Sequence, residues 1–179
     1  MPTHAMLDLE TLGVRHDAQI LTIGGVKFDP LHPGKDPHSD FYFRLDVDDQ
    51  AARGRTVTPE TLDWWAKQED HIIEEALGDH DRTPVAKMLP ALKKWIVGVD
   101  KVWAQGIVFD VGMLEHLCRD YDHPIPWQFY QVEDSRTLIN RMPFDPRKDF
   151  TFDAHNALED ARIQAKAVQI TFKHFGFVK

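Results

Sequence analysis

The sequence predicts an α/β fold in which one mixed sheet is flanked by helices. Three patterns predict it. Apolar and β-branched runs crowd the first 45 residues, helical spacings of three and four dominate the remainder, and one short strand-like run at 102–106 interrupts the helices. A chain of 179 residues is long enough to bury a real core, and no repeat or linker divides it, so a single domain over 1–179 is expected.

The elements follow in order. HAMLDL at 4–9 reads as a strand, and ILTIGGVKF at 20–28 as a second strand broken by Gly24 and Gly25. PLHPGKDPH at 30–38 is a Pro/Gly turn region, and FYFRL at 41–45 is a third strand. Short connections between these three suggest an antiparallel meander. Thr58 before Pro59 is an N-cap followed by proline at the first helical position, so TLDWWAKQ continues a helix. From Thr83 or Pro84 to Val97, the residues Val85, Met88, Leu89, Leu92 and Ile96 keep helical spacing. VWAQG at 102–106 is a strand ending in glycine, and 109–121 is a helix with Met113, Leu114 and Leu117 on one side. The segment 132–142 reads as a strand end running into a helix. The last helix spans 156–175, with Ala161, Ala165, Val168 and Phe172 on one face.

Composition excludes several classes of function. Apolar residues at 42% and charged residues at 28% are those of a globular chain rather than a disordered one. The single cysteine, Cys118, rules out an internal disulfide scaffold and a cysteine-rich zinc module. No apolar run approaches the roughly 20 residues of a membrane span. The opening MPTHAMLDLE lacks the basic start of a signal peptide, so a cytoplasmic protein with no membrane partner is expected. A net charge of −8 disfavours a protein that coats duplex DNA through its phosphates. Acidic chains still act on nucleic acid when their carboxylates hold divalent cations that meet the phosphate.

Three constellations carry chemistry. On the first strand Met6, Asp8 and Glu10 share one face, while Ala5, Leu7 and Leu9 share the other. Asp8 and Glu10 are therefore neighbours about 7 Å apart, repelling one another unless a cation lies between them; a strand end facing water is the alternative. In WAQGIVFDVGMLEHL at 103–117, Asp110 lies in a first helical turn just after a strand, where open sheets bind ligands. An acid favoured by the helix dipole reads equally well there. In DAHNALEDARIQA at 153–165, Asn156 is a good N-cap and Glu159 is positioned to complete a capping box. His155 then precedes the helix and Asp160 lies in its first turns, so both can reach one site. Carboxylates suit Mg²⁺ or Mn²⁺, and the imidazole stays free to take a proton. A capped helix start beside a surface histidine is the plainer reading.

In this order, D-x-E, F-D and H-x-x-x-x-D, the chain resembles the DEDDh (DnaQ-like) 3′-5′ exonucleases of the ribonuclease H-like superfamily. The likeness extends over nearly the whole chain and is greatest to the phage exonuclease A (DexA-like) branch. The chain is also similar to the mycobacterial exoribonuclease-like group. LDLETLG at 7–13, ILTIGGVKFD at 20–29, TPETLDWW at 58–65, WAQGIVFD at 103–110 and the D-x-R-T at 134–137 support it. Leu12 and Gly106 depart from the polymerase-proofreading pattern, which commonly has Thr and Asn there, but neither departure removes a ligand.

The resemblance implies a ribonuclease H-like, five-stranded mixed sheet, three strands antiparallel and then parallel. It also implies a two-cation site for Mg²⁺, or Mn²⁺, formed by Asp8, Glu10, Asp110 and Asp160, with His155 as general base. Asp8 would bridge the cations, with Glu10 and Asp160 on the first and Asp110 on the second. The implied reaction hydrolyses terminal phosphodiesters at single-stranded 3′ ends to 5′-mononucleotides. DNA is favoured by the phage-type resemblance alone, because no residue can be assigned to a 2′-OH.

By the same analogy Thr11, Leu12 and Phe109 line the terminal-nucleotide pocket. Trp64 and Trp65 are suited to stacking on a base, although an adjacent tryptophan pair packs a helix as readily, and at least one is expected in the core. Asp134 and Arg136 are further substrate candidates. Arg136, Arg141, Arg147 and Lys148 lie close in sequence, but Glu133, Asp134, Asp145 and Asp149 make a solvated mixed-charge surface the better reading of that segment. His4, His16, His32 and His38 are expected at the surface near loops. A proofreading-type subunit that works through a polymerase is the competing class. With only about twenty residues after Asp160 there is no tether, which favours an independent enzyme, expected as a monomer or homodimer; the intact four acids with His155 speak against an inactive binding relative.

Overall fold

The computed structural model describes residues 2–148, 150 and 155–178. The chain begins with β1 (His4–Thr11), β2 (Ile20–Phe28) and β3 (His38–Leu45), followed by α1 (Val47–Ala52), α2 (Pro59–Trp65), α3 (Asp70–Leu77) and β4 (Arg82–Thr83). Next come α4 (Val85–Trp95), β5 (Lys101–Ala104), α5 (Asp110–Asp120), β6 (Val132–Asp134), α6 (Ser135–Ile139) and α7 (Ala157–His174). The strands form one sheet in the order β4-β3-β2-β1-β5-β6. β1, β2 and β3 are the expected antiparallel meander, while β5 and β6 add in parallel beyond β1.

Several boundaries differ from the sequence reading, each for a local reason. The sheet has six strands rather than five, because Arg82–Thr83 pairs in parallel with Arg44 and Leu45. Arg82 makes this two-residue strand possible: its guanidinium donates to the carbonyls of Leu21, Leu45, Ala76 and Gly78. So short a strand has no periodicity, and it read as the approach to a helix. β3 starts at His38, inside the expected Pro/Gly turn, where Lys27 pairs with His38. Gly24 and Gly25 do not break β2; the irregularity lies between Gly25 and Lys27 in the pairing with β3. α1 and α3 went unread; α3 starts after Glu69 without a side-chain cap and lacks the Thr-Pro start that marks α2. α1 is held by its cap, Asp46 accepting from the Asp49 backbone N–H, rather than by an apolar stripe. His4 is neither in a loop nor at the surface: it is buried in β1 and accepts a 2.9 Å hydrogen bond from the Trp103 indole. Asp149 lies outside the described residues, as do Asp153 and Ala154 of the last motif.

The alternation on β1 divides the core into two layers. Ala5, Leu7 and Leu9 face a large cluster with Ile23, Met88 and Leu92, closed by Met113 and Leu117 of α5. Met6 faces the other way and packs with Val26, Phe28 and Trp103 against Ala161, Ala165 and Val168 of α7. Burying one such aliphatic side chain contributes about 1.5–3 kcal/mol. These two layers clamp β1 on both faces and fix which way its polar residues point.

α7 lies unusually close to the sheet. Its first turn passes over Gly24, which is the β2 partner of Asp8. A Cβ at Gly24 would sit 2.2 Å from the Ala157 carbonyl and 2.3 Å from the Leu158 nitrogen. The glycine is required for close approach and not for an unusual backbone angle. We predict that Gly24→Ala destabilises the protein by about 1–3 kcal/mol through overpacking. Gly34→Ala, with nothing within 4 Å of the added carbon, should leave the melting temperature nearly unchanged. Equal thermal melts for the two variants would contradict this packing argument.

Candidate active site

β1 and β5 run parallel only from His4 to Met6. Beyond that point β1 continues to Thr11, while β5 ends at Ala104 and the chain turns into α5. The divergence opens a crevice at the carboxyl ends of two parallel strands, where α/β sheets bind ligands. A cavity of about 240 Å³ lies there, lined by Asp8, Leu9, Glu10, Gln105, Phe109, Asp110, Arg136, His155, Asp160 and Gln164.

Each acid reaches this cavity from a different constraint. Asp8 and Glu10 are on the face of β1 opposite Leu7 and Leu9, as the alternation requires. Asp110 opens α5 and is buried. Asp160 lies in the first turn of α7, whose N-cap is Asn156; its side chain accepts from the backbone N–H groups of Leu158 and Glu159. Among the described residues Glu159 does not close the expected capping box; its carboxylate lies 3.5 Å from Arg162. His155 sits just before the cap with φ +70°, a left-handed conformation uncommon outside glycine. That turn lets its backbone N–H donate to Asp160 at 2.8 Å.

Asp8, Glu10 and Asp160 present ligand atoms that all lie within 4.8 Å of one another. Crowding and burial make ionisation costly. Burial drives the Asp8 carboxyl well above its ordinary range, helped by the charges of Asp110, Glu10 and Asp160. Burial pushes Glu10 up to about 8, again reinforced by Asp160 and Asp110. Asp110 rises to about 7 through burial, partly offset by backbone N–H groups of Asp110 and Leu9. Asp160 rises to about 6, mainly through burial, against the hydrogen bond from His155. Burial lowers the His155 imidazole, which favours its neutral form at neutral pH. Hard oxygen donors that resist ionising alone but lie within reach of one another fit a hard divalent cation such as Mg²⁺ or Mn²⁺.

The other candidates fall in varied places. Phe109 and Arg136 line the cavity, and Arg136 donates to the Gln105 carbonyl at 2.8 Å. Thr11 and Leu12 do not line it: the Thr11 hydroxyl donates to the Gly13 carbonyl, and Leu12 packs with Leu21 and Trp65. Asp134 caps α6, accepting from the Arg136 backbone N–H and the Thr137 hydroxyl. The tryptophan pair divides. Trp65 is 2% exposed and donates its indole N–H to the Thr11 carbonyl, whereas Trp64 is 40% exposed with its ring edge-to-face on His155, centroids 4.8 Å apart. Asp145 binds Arg147 at 2.8 Å, the mixed-charge surface expected for that segment. Gln105 and Gln164 were missed. Gln164 was within reach of the sequence, since it follows Asp160 by four residues and so shares its helix face.

The raised carboxyls carry a pH signature. Glu10 titrates near its ordinary 4.5 when unfolded and near 8 when folded, so the folded state holds the proton more tightly. Its contribution to stability is full below the unfolded value and is lost as pH rises through the folded one. Melts of the cation-free protein should therefore fall from pH 4.5 to 8 more steeply than melts of Glu10→Gln, and added Mg²⁺ should restore stability most at the alkaline end. Parallel pH profiles for the two proteins would contradict the assignment.

A family model described as a 3′-5′ exoribonuclease Rv2179c-like domain matches residues 3–172. No curated protein matches the sequence. Among solved structures, cell-death related nuclease 4 superposes with a TM-score of 0.67 at 15% identity, over 98% of this chain and 65% of that one. The nuclease domain of 3′hExo, a DEDDh family member bound to rAMP, gives 0.62 at 11% identity, over 99% and 94%. E. coli exonuclease I in complex with a dT13 oligonucleotide gives 0.65 at 13% identity, over 99% and 43%. The chain thus spans about two thirds of the first of these proteins and under half of the last. At such identities the likeness establishes the fold, a ribonuclease H-like mixed sheet with helices on its faces. The family match is to sequence and takes in all four acids and the histidine: this chain belongs to the Rv2179c-like 3′-5′ exoribonuclease domain family.

Proposed function

We propose that the protein is a metal-dependent 3′-5′ exonuclease that removes 5′-mononucleotides from single-stranded nucleic acid. One observation carries the reading: three carboxylates within 4.8 Å of one another share a cavity with Asp110 and His155. Asp8, Glu10, Asp160 and Asp110 would hold two divalent cations, Mg²⁺ or Mn²⁺. When bound, such ions supply Lewis-acid activation and neutralise charge building on the phosphate.

The chain's own residues perform the remaining work. His155 takes the proton from the attacking water at its imidazole, which burial keeps neutral and so free to accept it. The oxygen of that water forms a bond to the terminal phosphorus as the bond to the 3′-oxygen of the preceding nucleotide breaks. The products are a nucleoside 5′-monophosphate and a chain shortened by one. Arg136, at the cavity wall, offers its guanidinium to the phosphate. Trp64, half exposed beside His155, offers a face to the terminal base.

For the sugar, the family description supports RNA, and we take single-stranded RNA 3′ ends as the substrate. DNA is the second reading. It rests on the phage-type resemblance, on the dT13 oligonucleotide bound to E. coli exonuclease I and on the 5′-overhanging duplex DNA bound to exonuclease X. The family match favours the mycobacterial exoribonuclease-like side of the resemblance over the DexA-like branch.

Matched 3′-labelled RNA and DNA oligonucleotides incubated with Mg²⁺, Mn²⁺ or EDTA test the reading. Cation-dependent release of mononucleotides, blocked by a 3′-phosphate, is the expected result; release in EDTA would contradict it. His155→Ala and Asp160→Ala should each lower kcat by about 10²–10⁴-fold while the protein stays folded. Trp64→Ala should raise KM about tenfold, as loss of one stacking contact implies, with kcat little changed. Trp65→Ala should instead cost about 3–5 kcal/mol of stability.

A further inference from the structure

Gln164 lies one helical turn beyond Asp160 on α7, is 5% exposed, and lines the acidic cavity. Its side-chain nitrogen donates to one oxygen of Asp8 at 2.7 Å. Its other polar atom, the amide oxygen, is buried and has no hydrogen-bond partner among the described residues. Burying an amide oxygen without a donor is costly, and a leucine of similar volume would avoid that cost.

We propose that Gln164 is a positioning residue of the cation site. An ionised carboxylate only accepts hydrogen bonds, so the amide nitrogen is the end of the side chain that meets it. That bond occupies one Asp8 oxygen and commits the other to the neighbouring ligands, Glu10 and Asp160. The bond also ties β1 to α7 at the level of the acids, so Asp8 and Asp160 keep their spacing. The unpartnered oxygen would be left as an acceptor for the water carried by a bound cation. Partners of this kind orient the ligands that touch the metal, and losing one typically weakens metal affinity about 10–100-fold.

The inference rests on the cation-dependent reading above, and its test does not need nucleic acid. Mn²⁺ binding is measured by calorimetry on the 179-residue protein and on its Gln164→Leu and Gln164→Met variants, alongside melts without cation. The expected result is a Kd raised at least about tenfold in the Leu and Met variants, with cation-free melting temperatures close to wild type. Mn²⁺ affinity within about twofold of wild type in the folded variants, or Leu and Met variants that both lose the folded state without cation, would overturn the proposal. Wild-type protein that binds Mn²⁺ but releases no nucleotides would contradict the exonuclease reading alone and leave the Gln164 comparison decisive.

Discussion

Four carboxyl groups that repel one another are held around one small cavity, and the rest of the fold keeps them there. Asp8, Glu10, Asp110 and Asp160 arrive from β1, α5 and α7; burial raises every one of their pKa values, and the neighbouring acids raise those of Asp8 and Glu10 further. Nothing in their own interactions favours this arrangement. It persists because β1 is gripped on both faces, by Leu7 and Leu9 in the larger cluster and by Met6 under α7. Apolar burial thus provides the free energy that holds the acids together, and a divalent cation bound as proposed would turn their repulsion into attraction.

The close approach of α7 is the most specific part of that arrangement. Gly24 stands opposite Asp8 in the register and leaves room for the Ala157 backbone, so the helix that carries Asp160 lies directly on the strand pair that carries Asp8. Ala161 and Ala165 continue this small-residue contact along the helix. The left-handed turn at His155 then brings the imidazole to the mouth of the same cavity. Strain in such a turn is tolerated where surrounding contacts over-determine it, here the Asp160 hydrogen bond and the Trp64 ring.

Much of this was legible in the sequence where a regular period carried it. Two-residue alternation on β1 separated Asp8 and Glu10 from Leu7 and Leu9, and three-to-four spacing defined α4, α5 and α7. What escaped was held by single side chains rather than by pattern. Arg82 makes a two-residue strand by feeding four carbonyls, and Arg55 ties the β1–β2 loop to α5 through Ala18, His16 and Asp120. A buried His4 with an indole donor looks no different in sequence from a surface histidine. The capping of α6 by Asp134 was equally hidden, because the same residue reads as a site candidate. Substrate contacts were the least legible, because they depend on which side chains rim a cavity formed by elements distant in the chain.

Diffraction from crystals equilibrated with Mn²⁺, collected for the anomalous signal of manganese, shows whether the clustered acids hold a cation. Anomalous density is expected in the cavity between β1 and α7, within coordination distance of carboxylate oxygens of Asp8, Glu10 and Asp160. Density confined to other acidic positions, or an empty cavity at saturating Mn²⁺ and alkaline pH, would contradict it.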